Sequence, residues 1–197
     1  MQTLRAIAIL ALLTTLALSL TGCGPYNKLV ALEEGADSAW SQVENVYQRR
    51  ADLIPNLVET VKGAADFEQD TLTQVVEARS KVSQIQIDGA PSAQQLEQFQ
   101  GAQDALSSAL SRLLVVVERY PELTATQGFR DFQAQLEGTE NRIAVERRRF
   151  NEAVMSYNTA RRQFPTMLYA KAFDFGEKAY FAASPGAEEP PMVEFGG

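Results

Sequence analysis

The sequence predicts an all-α protein: an antiparallel up-and-down four-helix bundle with two long outer helices and two shorter ones. Three observations carry that expectation. Apolar residues recur at steps of three and four along most of the stretch from Tyr26 to Pro165. Capping-box patterns, in which Asp, Ser or Thr is followed three residues later by Gln, stand at Asp66, Ser92 and Thr124, where three of the apolar runs begin. No alternation of strand type competes with them. A set of long coiled coils is the alternative, and short loops with mixed three-and-four spacing favour the bundle.

The first helix is expected from about Tyr26 to Ala65, with Trp40, Val43, Tyr47, Ile54, Leu57, Val58, Val61 and Ala65 on its apolar stripe. Pro55 lies inside that stripe. It has no N–H to offer the Ala51 carbonyl, and the periodicity resumes beyond it, so a kink is expected rather than a stop. The second helix opens at Asp66 and carries Leu72, Val75, Val76, Val82 and Ile85. Asp88-Gly89-Ala90-Pro91 is a loop. The third helix, capped by Ser92, runs to Tyr120 with Leu96, Phe99, Leu106, Leu110, Leu113 and Val117 on a seam whose one polar member is Gln103. Pro121 ends it. Thr124 opens the fourth helix, which carries Phe129, Phe132, Leu136, Ile143, Phe150, Val154, Tyr157 and Phe164 and stops at Pro165. The five apolar residues from Leu113 to Val117 exceed what a seam needs. At least one of Leu114, Val115 and Val116 should face outward, against the surrounding bundle or against a partner.

Helix length has an architectural consequence. The first and fourth helices, each near 40 residues or about 60 Å, become antiparallel neighbours whose facing residue numbers sum to about 190. The middle helices then cover only the half remote from the N-terminus. Trp40, Phe150, Val154 and Tyr157 on the other half need a cover, and the aromatic segment holding Met167, Leu168, Tyr169, Phe173, Phe175, Tyr180 and Phe181 is the expected one. Another subunit or lipid are the alternatives.

Composition narrows function. The chain has no histidine and one cysteine, which removes the commonest general base, the usual zinc ligand and any internal disulfide. A net charge of -7 argues against a broad nucleic-acid surface. Residues 1–22 form a leader: Arg5 supplies one positive charge, Ala6 to Leu20 an apolar run, and Leu20-Thr21-Gly22-Cys23 resembles a bacterial lipobox. Acylation of Cys23, with palmitate-class chains, would fix the mature protein to a membrane. An uncleaved single-pass signal anchor is the alternative. Gly24, in place of the aspartate of an inner-membrane retention signal, favours the periplasmic face of the outer membrane where one exists. The bundle is expected over residues 23–183 and a disordered tail, rich in Pro, Gly and Glu, over 184–197.

The sequence resembles the LemA family. The resemblance rests on Tyr26-Asn27-Lys28-Leu29-Val30, Ala39-Trp40, the block Gln48-Arg49-Arg50-Ala51-Asp52-Leu53-Ile54-Pro55-Asn56-Leu57, then Ala78-Arg79, Glu118-Arg119-Tyr120-Pro121, Glu140-Asn141-Arg142-Ile143, Arg149-Phe150-Asn151 and Tyr157-Asn158. Phe150 departs from the tyrosine more frequent in the family, and the tail past Ser184 is outside the pattern. The resemblance implies a membrane-tethered antiparallel helical bundle. It brings no catalytic residues and no cofactor, and it points to envelope or membrane proteins as partners, a membrane protease among them.

The candidate site is polar and interhelical. Arg50 falls on the apolar stripe, a position a charge tolerates only when paired. The register sets Arg50 opposite Glu140 and Arg49 opposite Asn141, and Asn56 stands next to Pro55, where it could donate to the freed carbonyls. Arg49, Arg50, Asn56, Glu140 and Asn141 are therefore expected to form a network. It serves either as a register lock or as a polar site for a ligand. Arg147-Arg148-Arg149 and Arg161-Arg162 make a basic patch, either a solvated face or a contact for lipid headgroups. No spacing suggests a metal cage, a nucleophile with its base, or a phosphate loop. The expected function is a tethered, non-catalytic helical scaffold of the cell envelope, self-associating or bound to other envelope proteins. The alternatives are a small-ligand carrier using a bundle cavity and an envelope hydrolase.

Overall fold

Helix α1 spans Cys23–Lys62, and its inward stripe of Leu29, Ala36, Trp40, Val43, Tyr47, Ile54, Leu57 and Val61 is almost wholly removed from water. The computed structural model describes residues 23–62 and 68–182. The leader, the Ala65 end of the first stripe, the Asp66 cap and the tail beyond 183 lie outside those residues. After α1 come α2 (Gln69–Ser83), α3 (Ala93–Val117), α4 (Pro121–Thr124), α5 (Gln127–Arg162) and α6 (Thr166–Ala172). The described residues are thus all-α, without a strand, but form six helices rather than the expected four.

Two prolines account for the difference. Pro121 ends the third helix and, with its fixed φ, opens the short helix α4 as its first residue. That turn uses Thr124 as its last residue, so the cap of α5 falls to Thr126, whose hydroxyl accepts from the Phe129 N–H at 3.2 Å. The box expected at Thr124 does not form. Pro165 likewise precedes α6, and Phe164, expected on the apolar stripe, is left 78% exposed. The Ser92–Gln95 capping box is present with both hydrogen bonds. Helix α3 ends at Val117, so Tyr120 lies in the turn beyond it, and Ile85 lies past the end of α2.

Helices α1 and α5 run antiparallel and share the longest interface, while α2 and α3 pair with each other. Facing residues Trp40 and Phe150 pack ring to ring at 5.5 Å, in the register expected from helix length. One apolar cluster fills the end remote from Cys23, where Leu57, Val61, Val75, Leu106, Leu113, Phe129 and Phe132 meet. A second surrounds Trp40 with Tyr47, Phe99, Phe150, Val154 and Phe181. A third, smaller one joins Leu29, Tyr157 and Ala170 near Cys23. Val115, in the five-residue apolar run, faces outward at 65% exposure.

The loop before α3 belongs to the core. Ile87 and Pro91 are buried, and the Ala90 N–H donates to Asp37 Oδ1 of α1 at 2.8 Å. Gly89 takes a φ of +68° there, a conformation that side chains disfavour, with the Asp37 carboxyl only 3.5 Å from where a Cβ would stand.

Pro55 does sit inside α1. The Ala51 carbonyl that it deprives of a donor is taken by Arg79 Nε, from α2, at 2.9 Å. Arg79 thereby does what was expected of Asn56. Urea unfolding of Arg79→Ala is expected to show a loss of about 1–2 kcal/mol, because a part-buried carbonyl loses its partner. In a Pro55→Ala background, where an N–H returns to that carbonyl, the same substitution should cost less than half as much. Equal costs in both backgrounds would disprove the link.

Candidate functional site

Arg50 is 2% exposed, and its guanidinium joins three helices. Nη1 donates to Glu140 Oε1 of α5 at 2.9 Å and to Ser107 Oγ of α3 at 3.0 Å. Nη2 donates to the Gln103 backbone carbonyl at 3.2 Å and to Gln103 Oε1. Ser107 passes its own proton to the same carbonyl at 3.0 Å. The Tyr47 ring lies below the guanidinium, 5.2 Å from centroid to Cζ. Within the guanidinium, the Nε–H has no hydrogen-bond partner among the described residues. This polar layer lies between the remote apolar cluster and the Trp40 cluster, since Tyr47, Phe99 and Ile143 belong to one and Leu53 and Leu106 to the other.

The pair Arg50–Glu140 is where the register places it, but the rest of the expected network is not. Arg49, Asn56 and Asn141 are all exposed. On α1 and α5 they sit one residue or more away from the interface, so their side chains point outward. Gln103 and Ser107 replace them. Gln103 shows in sequence as the polar member of the third seam; Ser107 gives no such signal.

A second polar site fastens the C-terminal strap, residues 173–182, along α5. Asn158 Nδ2 donates to the Lys178 carbonyl at 2.9 Å, and its Oδ1 accepts the Lys178 N–H at 3.2 Å. Seven residues earlier, Asn151 treats Phe181 the same way, at 3.1 and 2.9 Å. Each amide satisfies both polar groups of one irregular backbone residue, so the strap needs no secondary structure of its own. Tyr157 donates to the Gly176 carbonyl at 2.9 Å, Arg161 Nε to that of Phe175 at 2.8 Å, and Arg147 to that of Ala182 at 3.2 Å. Lys178 Nζ reaches across to Glu33 and Asp37 of α1, both at 3.2 Å. Asp37 therefore ties the strap and the α2–α3 loop to one helix. Burial, and then the negative charge of Glu33, push the Tyr157 hydroxyl up to about 12, so it remains a donor throughout the neutral range. Tyr47 is raised by burial, against the pull of Arg147 and Arg50.

The strap is the cover that Trp40 requires. Phe181 stacks on Trp40 at 6.0 Å and meets Phe150 at 5.6 Å, and Arg147 Cζ lies 4.5 Å from the centre of its ring. Phe99 of α3 completes the enclosure at 5.1 Å, so the middle helices reach further along the long pair than their lengths suggest. Met167, Leu168, Phe173 and Tyr180, grouped in sequence with the cover, instead remain exposed.

The basic residues of α5 divide in the same way. Arg147 and Arg161 hold the strap, Arg149 pairs with Glu146 at 2.7 Å, and Arg148 and Arg162 face solvent. Among the described residues no three His, Cys, Asp or Glu side chains stand close enough to hold a metal ion, and no helix is long and apolar enough to cross a membrane.

The model of the LemA family matches residues 39–195. The chain belongs to the LemA family. The match reaches residue 195, so the stretch past Ser184, outside the pattern seen by inspection, falls within it, whereas the Tyr26–Val30 block precedes it. The chain is 27% identical to the magnetosome protein MamQ of Magnetospirillum gryphiswaldense, over 96% of this chain and 74% of that protein. It is 26% identical to MamQ 1 of Paramagnetospirillum magneticum, over 94% and 75%. A protein LemA of Metamycoplasma hominis is 26% identical over 82% and 70%. In this LemA-family chain the recognised motif residues split by face. Trp40, Arg50, Leu53, Ile54, Leu57, Tyr157 and Asn158 are buried, while Tyr26, Asn27, Gln48, Arg49, Pro55 and Asn56 are exposed. Phe150, where a tyrosine is more frequent, is fully enclosed by aromatic rings.

Proposed function

We propose that this LemA-family protein is a lipid-anchored, non-catalytic scaffold of the cell envelope that works through contacts of its outer surface with other envelope proteins. One observation carries the reading: the places where polar side chains converge inside the molecule are filled by its own groups. Arg50 spends both terminal nitrogens on Gln103, Ser107 and Glu140. Asn151, Asn158, Tyr157 and Lys178 spend theirs on the strap and α1. A carrier would leave such groups turned toward a cavity, and an enzyme would leave a base or nucleophile facing a substrate. Here they fix the relative positions of long helices, which is what a rigid spacer requires.

Cys23 is already helical in α1, so an acylated Cys23 would join directly to a rod of 40 residues, about 60 Å long. The anchoring membrane is the outer membrane where the cell has one, with the bundle on its periplasmic face. Membrane proteases and other membrane proteins are the partner class that the family resemblance suggests.

Cross-linking in intact membranes, followed by mass spectrometry of the native full chain, tests this. The expected result is a diacyl or triacyl adduct on Cys23, with a reproducible set of envelope proteins cross-linked to it and lost in Cys23→Ala. An unmodified Cys23 in the intact-mass spectrum would remove the lipid anchor. Turnover of an envelope substrate by the purified chain would remove the scaffold.

A further inference from the structure

Of the nine exposed large apolar side chains among the described residues, five stand at the Cys23 end: Tyr26, Phe164, Met167, Leu168 and Phe173. Their positions are linked. The Tyr26 and Phe173 rings meet at 5.0 Å, joining the start of α1 to the end of α6. Helix α6 buries Thr166 and Ala170 against the bundle, which turns Met167, Leu168 and Lys171 outward. Phe164, just before α6, is the most exposed of the set at 78%. A group of this size on one end of a small protein needs a partner.

We infer that this apolar crown is a second, non-covalent membrane contact, in which Phe164, Met167, Leu168 and Phe173 enter the headgroup region of an anionic bilayer. The inference rests on the membrane-anchored reading. Position identifies the occupant. Tyr26 is three residues past Cys23, less than one helical turn, about 4.5 Å along the axis. The apolar run Ala6 to Leu20 ends just before that cysteine. Whether acyl chains or an uncleaved leader provide the anchor, hydrocarbon begins beside the crown.

Charge agrees. Arg161, Arg162 and Lys171, with Met167 and Asp174, line a groove of about 510 Å³. Arg161 is occupied by the Phe175 carbonyl and, at 3.4 Å, by Glu177. Arg162 and Lys171 are exposed, and Lys28 is exposed on the neighbouring α1. Apolar side chains rimmed by Lys and Arg match the composition of an interfacial membrane segment, and the position beside Cys23 is what favours lipid over a protein partner. The net charge of the whole chain is negative, so the basic rim orients this end and the apolar side chains hold it.

The test uses the full chain in phosphatidylglycerol–phosphatidylcholine vesicles with brominated acyl chains, which quench indole within the bilayer. The native Trp40, 0% exposed inside the protein, is an internal reference that should not be quenched. In Leu168→Trp the added emission should fall at least two-fold, and in Val115→Trp it should not fall. Adding Arg162→Gln and Lys171→Gln to Leu168→Trp should weaken quenching in anionic vesicles more than in pure phosphatidylcholine. Unquenched emission from Leu168→Trp overturns the inference, as does a blue shift that grows with protein concentration, which would assign the crown to a second copy. Intact mass of the same sample separates the two proposals: strong quenching without an acyl adduct sinks the lipid anchor and leaves the crown contact standing.

Discussion

Arg50→Ala is expected to destabilise the bundle by about 3–5 kcal/mol, the cost of breaking a buried charged network from inside. For a chain of this length that lowers the melting temperature by on the order of 10 °C. The loss has two parts. The side chain fills space between two apolar clusters, so its removal leaves a cavity. It also strands the side-chain oxygen of Gln103, 3% exposed, which accepts from Arg50 Nη2. Glu140→Ala should be much milder, about 1–2 kcal/mol, because its carboxyl is 47% exposed and water can replace it at Nη1. Half-exposure of the carboxylate is what separates Glu140 from a fully buried partner. Chemical denaturation of the two variants checks both values. If Glu140→Ala costs as much as Arg50→Ala, the ion pair and not the three-helix polar layer holds the register.

Phe181→Ala should cost about 3 kcal/mol and release the strap. Truncating a phenylalanine enclosed on three sides costs about 3–5 kcal/mol where the surroundings cannot relax. Here the strap can lift away, which caps the loss near the lower value. Release exposes Trp40, so its emission should shift to the red, and the chain's single tryptophan makes that reading unambiguous. Cleavage within residues 173–182 by a dilute protease should accelerate while the helices stay intact. Asn151→Ala should give a weaker version of the same pattern. An unshifted emission in Phe181→Ala would mean that Phe99 and Phe150 enclose Trp40 without help.

What was legible in the sequence follows a physical line. The α1–α5 register could be worked out because two long antiparallel helices have one free parameter, and a charge on an apolar stripe marks where a partner must be. Gln103 was visible as a break in its seam but could not be joined to Arg50, since nothing in the sequence sets α3 along the other two helices. Arg79, Asn151 and Asn158 were invisible in role because their partners are backbone atoms, which have no sequence signature. Within the aromatic segment, irregular backbone offers no periodicity to tell Phe181, which docks, from Phe173, which does not. Thr124 has the reciprocal Gln127 and Thr126 has none, yet the turn begun by Pro121 gives the cap to Thr126.

The strap also sets the order in which the molecule can be finished. Lys178 meets Asp37 across 141 positions of chain, so that contact closes a loop spanning most of the molecule. Synthesis runs from the N-terminus, so the face of Trp40 that Phe181 covers stays open until the last part of the domain has been made. A chain cut short by even a few residues before Ala182 therefore carries a permanent greasy flaw on its longest helix. Completion of the chain and burial of that aromatic face are thus one event.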